Sequence, residues 1–469
     1  MGHPSTSTAM SLLFQAWSAL GGDPAATGAV GFTGAGGLPS AFHVTDLAAA
    51  SMAAAGLAIA ELGAQGGALP PVAVDRRLAS IWFGTSLRPV GWELPAVWDP
   101  VAGDYQAQDG WVRLHTNAPH HRAAAERVLG RQADKAGMAR AVAPWSAQGL
   151  ETAVVEAGGC AAAMHTRAEW AEHPQGRAIS AEPLVRRQAN AAARHTGWVP
   201  RPGRPLAGLR VLDLTRVLAG PVGSRFLAGY GAEVLRIDAP DWDEPGLVPE
   251  VTLGKRCARL DLRSPDGRAT LERLLAGADL LLHGYRGDAL ERLGLGPAWR
   301  RSVAPGLVEV CHDAYGWSGP WALRRGFDSL VQMSCGIAHA GMLHYGTGRP
   351  TPLPVQALDQ ATGYFVAAAA VRGLTERLRT GLGNEARLSL ARTAAFLMDQ
   401  GMAPEEAALT PETAADLAPG TEATDLGPAR RVAWPLSVAG TPACWALPAS
   451  ALGSSPARWA PTEEAAPVA

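Results

Sequence analysis

Asp359 stands where a carboxylate could act as a nucleophile. A polar stretch, Pro350–Gln356, precedes it, and Ala361–Arg372 has the Ala-rich pattern of a helix. The positive end of a helix dipole favours the charged form of an acid, so we expect Asp359 to stay ionised near neutral pH. An ionised carboxylate can attack a thioester and form a covalent intermediate. The competing interpretation is that Asp359 is an N-cap, a common role for an aspartate before a helix.

The elements that must position this residue begin with the segment Gly208–Asp238. It contains an apolar run, Val211–Leu214, a break at residues 219–221, a helical stretch, Ser224–Tyr230, and a second strand, Glu233–Asp238. This is the opening unit of a nucleotide-binding type of α/β domain. An acidic residue ends the second strand, as in dinucleotide folds, but the turn lacks G-x-G-x-x-G, so the indication of NAD is weak.

The next segment continues the alternation of strands and helices. We expect a strand at Arg259–Leu262 and another at Asp279–His283. Between them, Ser264 is a good N-cap, Pro265 suits the first helical position and Gly277 suits the end of the helix. A parallel sheet with its ligand at the carboxyl ends of the strands follows from this pattern.

An ordered series of motifs resembles one enzyme family, the family III (CaiB/BaiF) coenzyme A transferases. These motifs span about residues 205–400 and are Asp213-Leu214-Thr215-Arg216, Ala219-Gly220-Pro221, LDLRSPDG from Leu260, LERLGLG from Leu290, YGWSGP from Tyr315, Gly326-Phe327-Asp328 and DQATGY from Asp359. The family includes formyl-CoA and carnitine-CoA transferases and a branch of 2-methylacyl-CoA racemases. Two positions depart from the family pattern: Ala239 replaces a basic residue, and Gly284-Tyr285 replaces Asn-Phe.

The resemblance implies an α/β fold with a Rossmann-like parallel-sheet domain that binds CoA and a smaller α/β domain. It implies that Asp359 attacks an acyl-CoA, passes through an acyl-aspartyl anhydride and an aspartyl-CoA thioester, and hands CoA to a carboxylic acid. It also implies a homodimer, with the CoA thioester as substrate and no tightly bound cofactor. The positions that match CoA contacts in the family are Arg216, Val217, Ala219, Arg263, Arg292, Phe327 and Asp328.

Three alternatives stay open. The racemase branch has His where this chain has Phe327, and Phe carries no proton, so racemization would need His312 or His339 as a replacement base. An NAD-dependent oxidoreductase would use the same type of sheet. A non-catalytic acyl-CoA-binding protein would keep the cleft and lose the reaction.

The N-terminal half contains a repeat of the Asp359 region. Val44–Ser51 is followed by an Ala-rich helix pattern and Val72–Leu78, which echoes the segments around Asp359 and Arg387–Arg392. Asp46 is the counterpart of Asp359, and is either a relic N-cap or part of a second site completed by another subunit. We therefore expect a fused or permuted order: a partial catalytic copy (residues 1–109), a small α/β domain with a linker (110–200), the CoA-binding domain with the catalytic segment (201–405), and a crossing segment with a frayed tail (406–469).

Composition and charge restrict the possible partners and the cellular compartment of the protein. The chain has 469 residues and a net charge of −2, and no dense basic run indicates nucleic acid as a partner. The first apolar run, Ser11–Leu20, is too short and polar to span a membrane, so we expect a packed helix. Five scattered cysteines without C-x-x-C spacing favour reduced thiols in the cytoplasm, with neither a disulfide framework nor a metal site.

Overall fold

The computed structural model describes residues 4–192 and 197–461. Within them the chain forms a mixed α/β structure with one seven-stranded sheet and three three-stranded sheets. The strands are β1 (Val30–Thr33), β2 (Val72–Asp75), β3 (Leu87–Pro89), β4 (Gly103–Gln106), β5 (Trp111–Leu114), β6 (Ala161–Ala163), β7 (Arg186–Ala192), β8 (Arg210–Leu214), β9 (Glu233–Asp238), β10 (Lys255–Arg259), β11 (Leu280–His283), β12 (Val308–Asp313), β13 (Leu382–Ser389), β14 (Glu422–Thr424), β15 (Gly427–Arg431) and β16 (Leu436–Val438).

Helices connect and cover these strands. They are α1 (Pro4–Ala19), α2 (Val44–Ala64), α3 (Arg76–Gly84), α4 (Pro119–Leu129), α5 (Lys135–Val142), α6 (Ala147–Glu156), α7 (Arg167–Glu172), α8 (Pro174–Ala181), α9 (Ala219–Gly229), α10 (Val248–Val251), α11 (Pro265–Ala276), α12 (Ala289–Arg292), α13 (Pro297–Val303), α14 (Asp328–Ser334), α15 (Ile337–Tyr345), α16 (Ala357–Thr380) and α17 (Leu390–Met398). Two short 3₁₀ helices lie at Pro24–Ala29 and Ala414–Asp416.

The seven-stranded sheet has the order β10-β9-β8-β11-β12-β13-β7. Its first six strands are parallel, and β7 is antiparallel to β13. In chain order, the parallel part of the sheet begins with β8 and continues outward through β9 to β10. The chain then returns to the other side of β8 as β11. This reversal between β8 and β11 is the topological switch point at which such sheets bind ligands. The predicted parallel α/β fold is therefore confirmed.

Local sequence explains the connections of this sheet. The Ser264 hydroxyl accepts the N–H of Gly267 at 3.0 Å and caps α11, as its sequence predicts. The third strand, β10, ends at Arg259, the residue where the predicted strand begins. After it, the chain makes a turn at Asp261 to Ser264 that leads into α11. The first helix of the unit, α9, begins at Ala219, so the predicted turn at residues 219–221 is its first turn.

The long helix α16 packs in the main core against α9 and α2. Gly223 of α9 and Gly363 of α16 face each other so closely that a Cβ on Gly363 would collide with the backbone oxygen of Ala219. These two glycines let the start of α16 lie beside the start of α9. In the described part of the chain, α2 is the one helix long and apolar enough to cross a membrane, and 83% of its most apolar window is buried inside the protein.

The N-terminal segment repeats the arrangement of strands and helix found at the β12-β13-β7 edge of the large sheet. β1 and β2 are parallel and joined through α2, and β16 is antiparallel to β2. In the same way β12 and β13 are parallel and joined through α16, and β7 is antiparallel to β13. The caps that follow also correspond, since Asp75 caps α3 and Ser389 caps α17. The fused or permuted order and the four domain boundaries stay predictions.

A separate antiparallel sheet, β4-β5-β6, packs with α4 to α6 around its own apolar core. β4 lies before residue 110, and β7 pairs with β13 of the large sheet. The C-terminal segment returns to the N-terminal one, because β15 pairs with β3 and β16 with β2.

The two ends of the chain show how far the sequence expectations hold. The packed helix expected at Ser11–Leu20 is part of α1, whose Trp17 is fully buried. The expected frayed tail is wrong as far as Pro461, because the Trp459 indole donates to the Leu274 carbonyl at 3.1 Å and stacks under Arg210. Residues 462–469 lie outside the described residues.

Candidate active site

A cavity of about 370 Å³ opens at the carboxyl edge of the large sheet. Leu214 ends β8, Gly284 follows β11, and Asp313 ends β12, and all three line the cavity. The cavity therefore lies at the switch point between β8 and β11, as the strand pattern predicts.

A second cavity of about 190 Å³ adjoins the first at the ends of β9 and β10. Arg216 and Tyr285 line both cavities, and Asp238 and Arg263 line the smaller one. The two cavities together form an elongated cleft along the edge of the sheet.

Asp359 brings a carboxyl group to the larger cavity. It is the third residue of α16, and the N-cap position, Gln356, makes no side-chain capping bond. Asp359 is therefore not an N-cap, and the competing sequence interpretation is wrong. Its side chain is 8% exposed, and a cavity gives it access to a ligand.

The expectation that the helix terminus keeps Asp359 ionised is also wrong. Burial, followed by the nearby charge of Asp328, raises the pKa of the Asp359 carboxyl well above its ordinary value. The terminus cannot offset these effects fully because its N–H groups already have a partner: the Asp359 backbone N–H donates to Asp328 Oδ2 at 2.9 Å.

Asp328 is completely buried and forms one structural unit with Asp359. The Gln332 amide donates to Asp328, and the Gln332 oxygen accepts the N–H of Leu353 at 2.7 Å. Burial raises the pKa of the Asp328 carboxyl, and the bonds from the Asp359 N–H and Gln332 act in the opposite direction. Two buried carboxyl groups that repel each other titrate as a pair, and the charge of one disfavours ionisation of the other.

This geometry changes the role expected for Asp328. The resemblance placed Asp328 among the CoA contacts, but its side chain does not line the cavity. Its carboxyl points to the first turn of α16, which it caps from a different helix. Asp328 therefore positions Asp359.

Four arginines, Arg216, Arg286, Arg324 and Arg325, line the larger cavity, and Arg324 is paired with Glu151. Arg216 lies over the rings of Trp242 and Tyr285, 4.8 and 5.5 Å from their centroids. Among the described residues, neither Arg216 nor Arg325 forms an ion pair. Their positive charge is thus available to an anionic ligand.

The turn after β8 is strained. Val217 has a φ of 64°, a left-handed conformation that is unfavourable for a β-branched residue. Its N–H donates to Glu244 Oε2 at 2.9 Å, which holds the turn in place. Val217 and Ala219 line the cavity, as the resemblance implies.

Of the other predicted CoA contacts, two line the cavities and one does not. Phe327 lines the larger cavity and Arg263 the smaller one, where the Arg263 Nε donates to Asp261 at 2.8 Å. Arg292 lines neither cavity; it pairs with Asp288 one turn earlier on α12 and its side chain is 68% exposed. The structure does not bring Arg292 to the cleft.

Sequence reasoning missed the imidazoles that the small sheet unit contributes. His120 and His121, in the first turn of α4, line the larger cavity. His312 also lines it, whereas His339 does not. The only sequence signal was the Pro119-His120-His121 run at a helix start, and nothing in the sequence places that helix against the cleft.

Asp46 occupies the same helical position as Asp359 but in a different environment. It is the third residue of α2, its Oδ1 accepts from Arg76 Nε and Nη2 at 3.2 and 2.8 Å, and its Oδ2 lies 3.2 Å from His43 Nδ1. It caps no helix, so the relic N-cap interpretation is wrong. The residue that corresponds to Arg76 is Leu390, which lines the cavity near Asp359. An arginine thus neutralises one aspartate and a leucine leaves the other unpaired.

A cavity of about 330 Å³ elsewhere contains the one group of metal-ligand residue types found in the described residues, His283, Glu309 and Cys311. Arg300 donates to both Glu309 oxygens, and burial and Glu309 raise the pKa of the Cys311 thiol well above its ordinary value. A paired carboxylate and a protonated thiol are poor metal ligands. The expected absence of a metal stays a prediction.

Residues 206–462 match the family model for CoA-transferase family III. The chain belongs to this family. The resemblance seen in the motifs is thereby confirmed.

The chain spans about half the length of the named relatives that it matches. A probable fatty acyl-CoA transferase of Mycobacterium tuberculosis is 34% identical over 209 residues, 40% of this chain and 51% of the relative. Succinyl-CoA–D-citramalate CoA-transferase of Chloroflexus aurantiacus is 31% identical over 218 residues, 44% and 54% of the two chains. The mouse succinyl-CoA:glutarate CoA-transferase is 32% identical over 205 residues, 40% and 47%.

Solved structures give the same partial coverage. A crystal structure of the M. tuberculosis relative is 31% identical and covers 43% of this chain and 59% of its own, with a TM-score of 0.38. A CaiB/BaiF family protein of Brucella suis is 25% identical, with coverages of 48% and 65% and a TM-score of 0.36.

The raised pKa of Asp359 predicts that this residue costs stability at neutral pH. Its folded pKa lies above the unfolded value of about 3.9, so stability is lost as pH rises from that value through the folded pKa. Asp359→Asn should therefore be more stable than the wild type at pH 8, and the difference should shrink at pH 5. Urea unfolding at the two pH values measures it. Equal stability of the two proteins at pH 8 would contradict the buried, unpaired carboxyl.

Asp46 is predicted to matter for stability alone. Asp46→Ala leaves the buried Arg76 guanidinium without its main partner and should cost about 3–5 kcal/mol of unfolding free energy. Adding Arg76→Leu, the residue found at the equivalent position 390, should recover part of the loss. A double-mutant cycle by urea unfolding tests the pair, and independent, additive effects would argue against it.

Proposed function

We propose that this protein moves coenzyme A from an acyl-CoA thioester to a carboxylic acid through a covalent intermediate on Asp359. The observation that carries the proposal is the position of the Asp359 carboxyl in a cleft that also holds unpaired arginines at the carboxyl edge of a parallel sheet. Membership of CoA-transferase family III supports the same reaction.

The cleft suits a CoA thioester that enters as substrate. Arg216, which lines both cavities, suits the phosphates of the nucleotide end, whereas Arg263 in the smaller cavity is already paired with Asp261. Val217 and Ala219 line the same cavity as Asp359, which suits the pantetheine arm. No tightly bound cofactor is needed for the proposed reaction.

The reaction uses the ionised form of Asp359, which arises when its carboxyl releases its proton into the cavity. The Asp359 carboxylate attacks the thioester carbonyl, the C–S bond breaks, and the CoA thiolate departs. The product on Asp359 is an acyl-aspartyl anhydride. The thiolate then attacks the aspartyl carbonyl, the anhydride C–O bond breaks, and the donor acid leaves as a carboxylate. The aspartyl-CoA thioester remains.

The second half reverses these steps with the acceptor. Its carboxylate attacks the aspartyl-CoA thioester, thiolate leaves again, and a new anhydride forms. Thiolate attack on the acceptor carbonyl yields the new acyl-CoA and returns Asp359 as a carboxylate. Burial makes this cycle feasible because water, the competing nucleophile for both intermediates, has little access to Asp359.

A 2-methylacyl-CoA racemase is the second candidate. His312 lines the cavity with Asp359 and provides the imidazole that Phe327 cannot, as do His120 and His121. The oxidoreductase alternative has less support, because both Asp238 oxygens accept from Arg236 and are not free for a ribose.

Two further parts of the proposal concern assembly and location. We place the protein in the cytoplasm, which the free state of all five cysteines supports. We assign it a homodimeric state on the strength of its family membership.

Covalent trapping tests the central step. Incubation with an acyl-CoA followed by hydroxylamine should convert Asp359 to a hydroxamate, seen as a mass shift of its peptide. Asp359→Asn should show no shift and no CoA transfer. Full transfer by Asp359→Ala would overturn the proposal, CoA binding without exchange would favour a binding protein, and Asp359-dependent loss of α-deuterium from a 2-methylacyl-CoA would favour the racemase.

The arginines provide a matched comparison for CoA binding. Arg216→Gln removes a guanidinium from the cleft and should raise the Kd for CoA about 10- to 100-fold. Arg292→Gln removes an exposed one outside it and should leave the Kd unchanged. Calorimetric titration with free CoA measures both, and equal effects of the two substitutions would remove the cleft assignment.

A further inference from the structure

His121 is a buried side chain with no hydrogen-bond partner. Its residue is 4% exposed, and among the described residues neither ring nitrogen is hydrogen-bonded. A buried polar group left without a partner costs stability, so its retention calls for an explanation. A ligand that supplies the missing partners is such an explanation.

The position of His121 identifies where that ligand lies. The ring lines the same cavity as Asp359, although it comes from the separate sheet unit. Its edge meets Phe327 at 5.7 Å between ring centroids and an interplanar angle of 73°. His115 stacks on the same Phe327 ring at 3.7 Å, so the ring that contacts His121 is itself held by a second imidazole.

The surroundings keep this imidazole neutral. Burial, followed by the positive influence of His120 and Arg325, lowers the pKa of His121 to about 3. A neutral imidazole carries one N–H donor and one acceptor nitrogen. It can therefore donate a hydrogen bond without bringing a proton that would quench a carboxylate nucleophile.

The other imidazoles of the cavity are less suited. His120 is exposed, so water supplies its hydrogen bonds. The His312 ring packs against Gly284, where a Cβ would come within 2.8 Å of it. Only His121, of these three, is recorded with both nitrogens buried and unpartnered.

We propose that His121 contacts the acyl group of the substrate and donates a hydrogen bond to the thioester oxygen as Asp359 attacks the carbonyl carbon. The inference rests on the proposed CoA-transfer function and adds a catalytic residue to it. The oxygen gains negative charge in this step, and a fixed donor in a dry site stabilises that charge. Phe327, at the position where racemases of the family have a proton carrier, here orients a donor from another part of the chain.

Three variants test the proposal. His121→Leu removes the donor and should lower kcat for CoA transfer roughly 100-fold, while the Kd for free CoA stays within twofold. His121→Gln keeps an N–H and should recover part of kcat. His344→Leu, an exposed histidine on α15 away from the cavity, should behave as the wild type. Thermal unfolding of each variant verifies the fold.

The outcomes separate this proposal from the function on which it rests. An unchanged kcat in His121→Leu, or a Kd for CoA that rises in parallel with the loss of kcat, would overturn the role of His121. If the wild type itself gives no covalent adduct, the transferase proposal fails, and ¹⁵N-histidine NMR still reports on contact. A His121 ring resonance that moves on addition of acyl-CoA, and not of free CoA, supports the acyl contact, and an unmoved one overturns it.

Discussion

The hydrogen bond from the Asp359 N–H to the Asp328 carboxyl determines both the geometry and the charge of this site. α16 has no side-chain cap of its own, and Asp328 supplies the acceptor from α14. Burial raises the pKa of the Asp359 carboxyl, and the same contact adds the charge of a second buried acid, which raises it further. One bond therefore orients the first turn of α16 and contributes to how readily Asp359 gives up its proton.

The rest of the fold supports this bond. Gly223 and Gly363 let α16 approach α9. This approach places Asp359 beside the turn that follows β8. Gln332 ties Asp328 to Leu353 and so fixes the chain that leads into α16. The N-terminal counterpart shows what happens without this arrangement: Asp46 begins a similar helix, but Arg76 neutralises it where Leu390 leaves Asp359 free. The identity of one residue after a strand thus separates an ion pair in the core from a carboxyl in a cleft.

Much of this was predictable from the sequence, because strand patterns and caps are local. The parallel sheet, the cap at Ser264, the strand β11 and the placing of Arg216, Val217, Ala219 and Phe327 at the cleft all followed from short motifs. The ionisation of Asp359 was not predictable, since it depends on burial and on Asp328, which is distant in the sequence. His121 was missed because its place depends on how two units pack. Arg292 was misplaced because one turn of helix decides whether a side chain faces the cleft or solvent.

The central claim, that Asp359 and Asp328 form a buried pair in which the charge of one carboxyl raises the pKa of the other, is most directly tested by NMR titration of ¹³C-labelled aspartate carboxyls. Asp359→Asn identifies the resonance of Asp359. The account predicts that Asp359 in the wild type titrates well above the ordinary range of aspartate, and that Asp328→Asn, which keeps an acceptor for the helix N–H but removes the charge, lowers its apparent pKa. An Asp359 carboxyl that titrates near 4 in the wild type and does not respond to Asp328→Asn would contradict it.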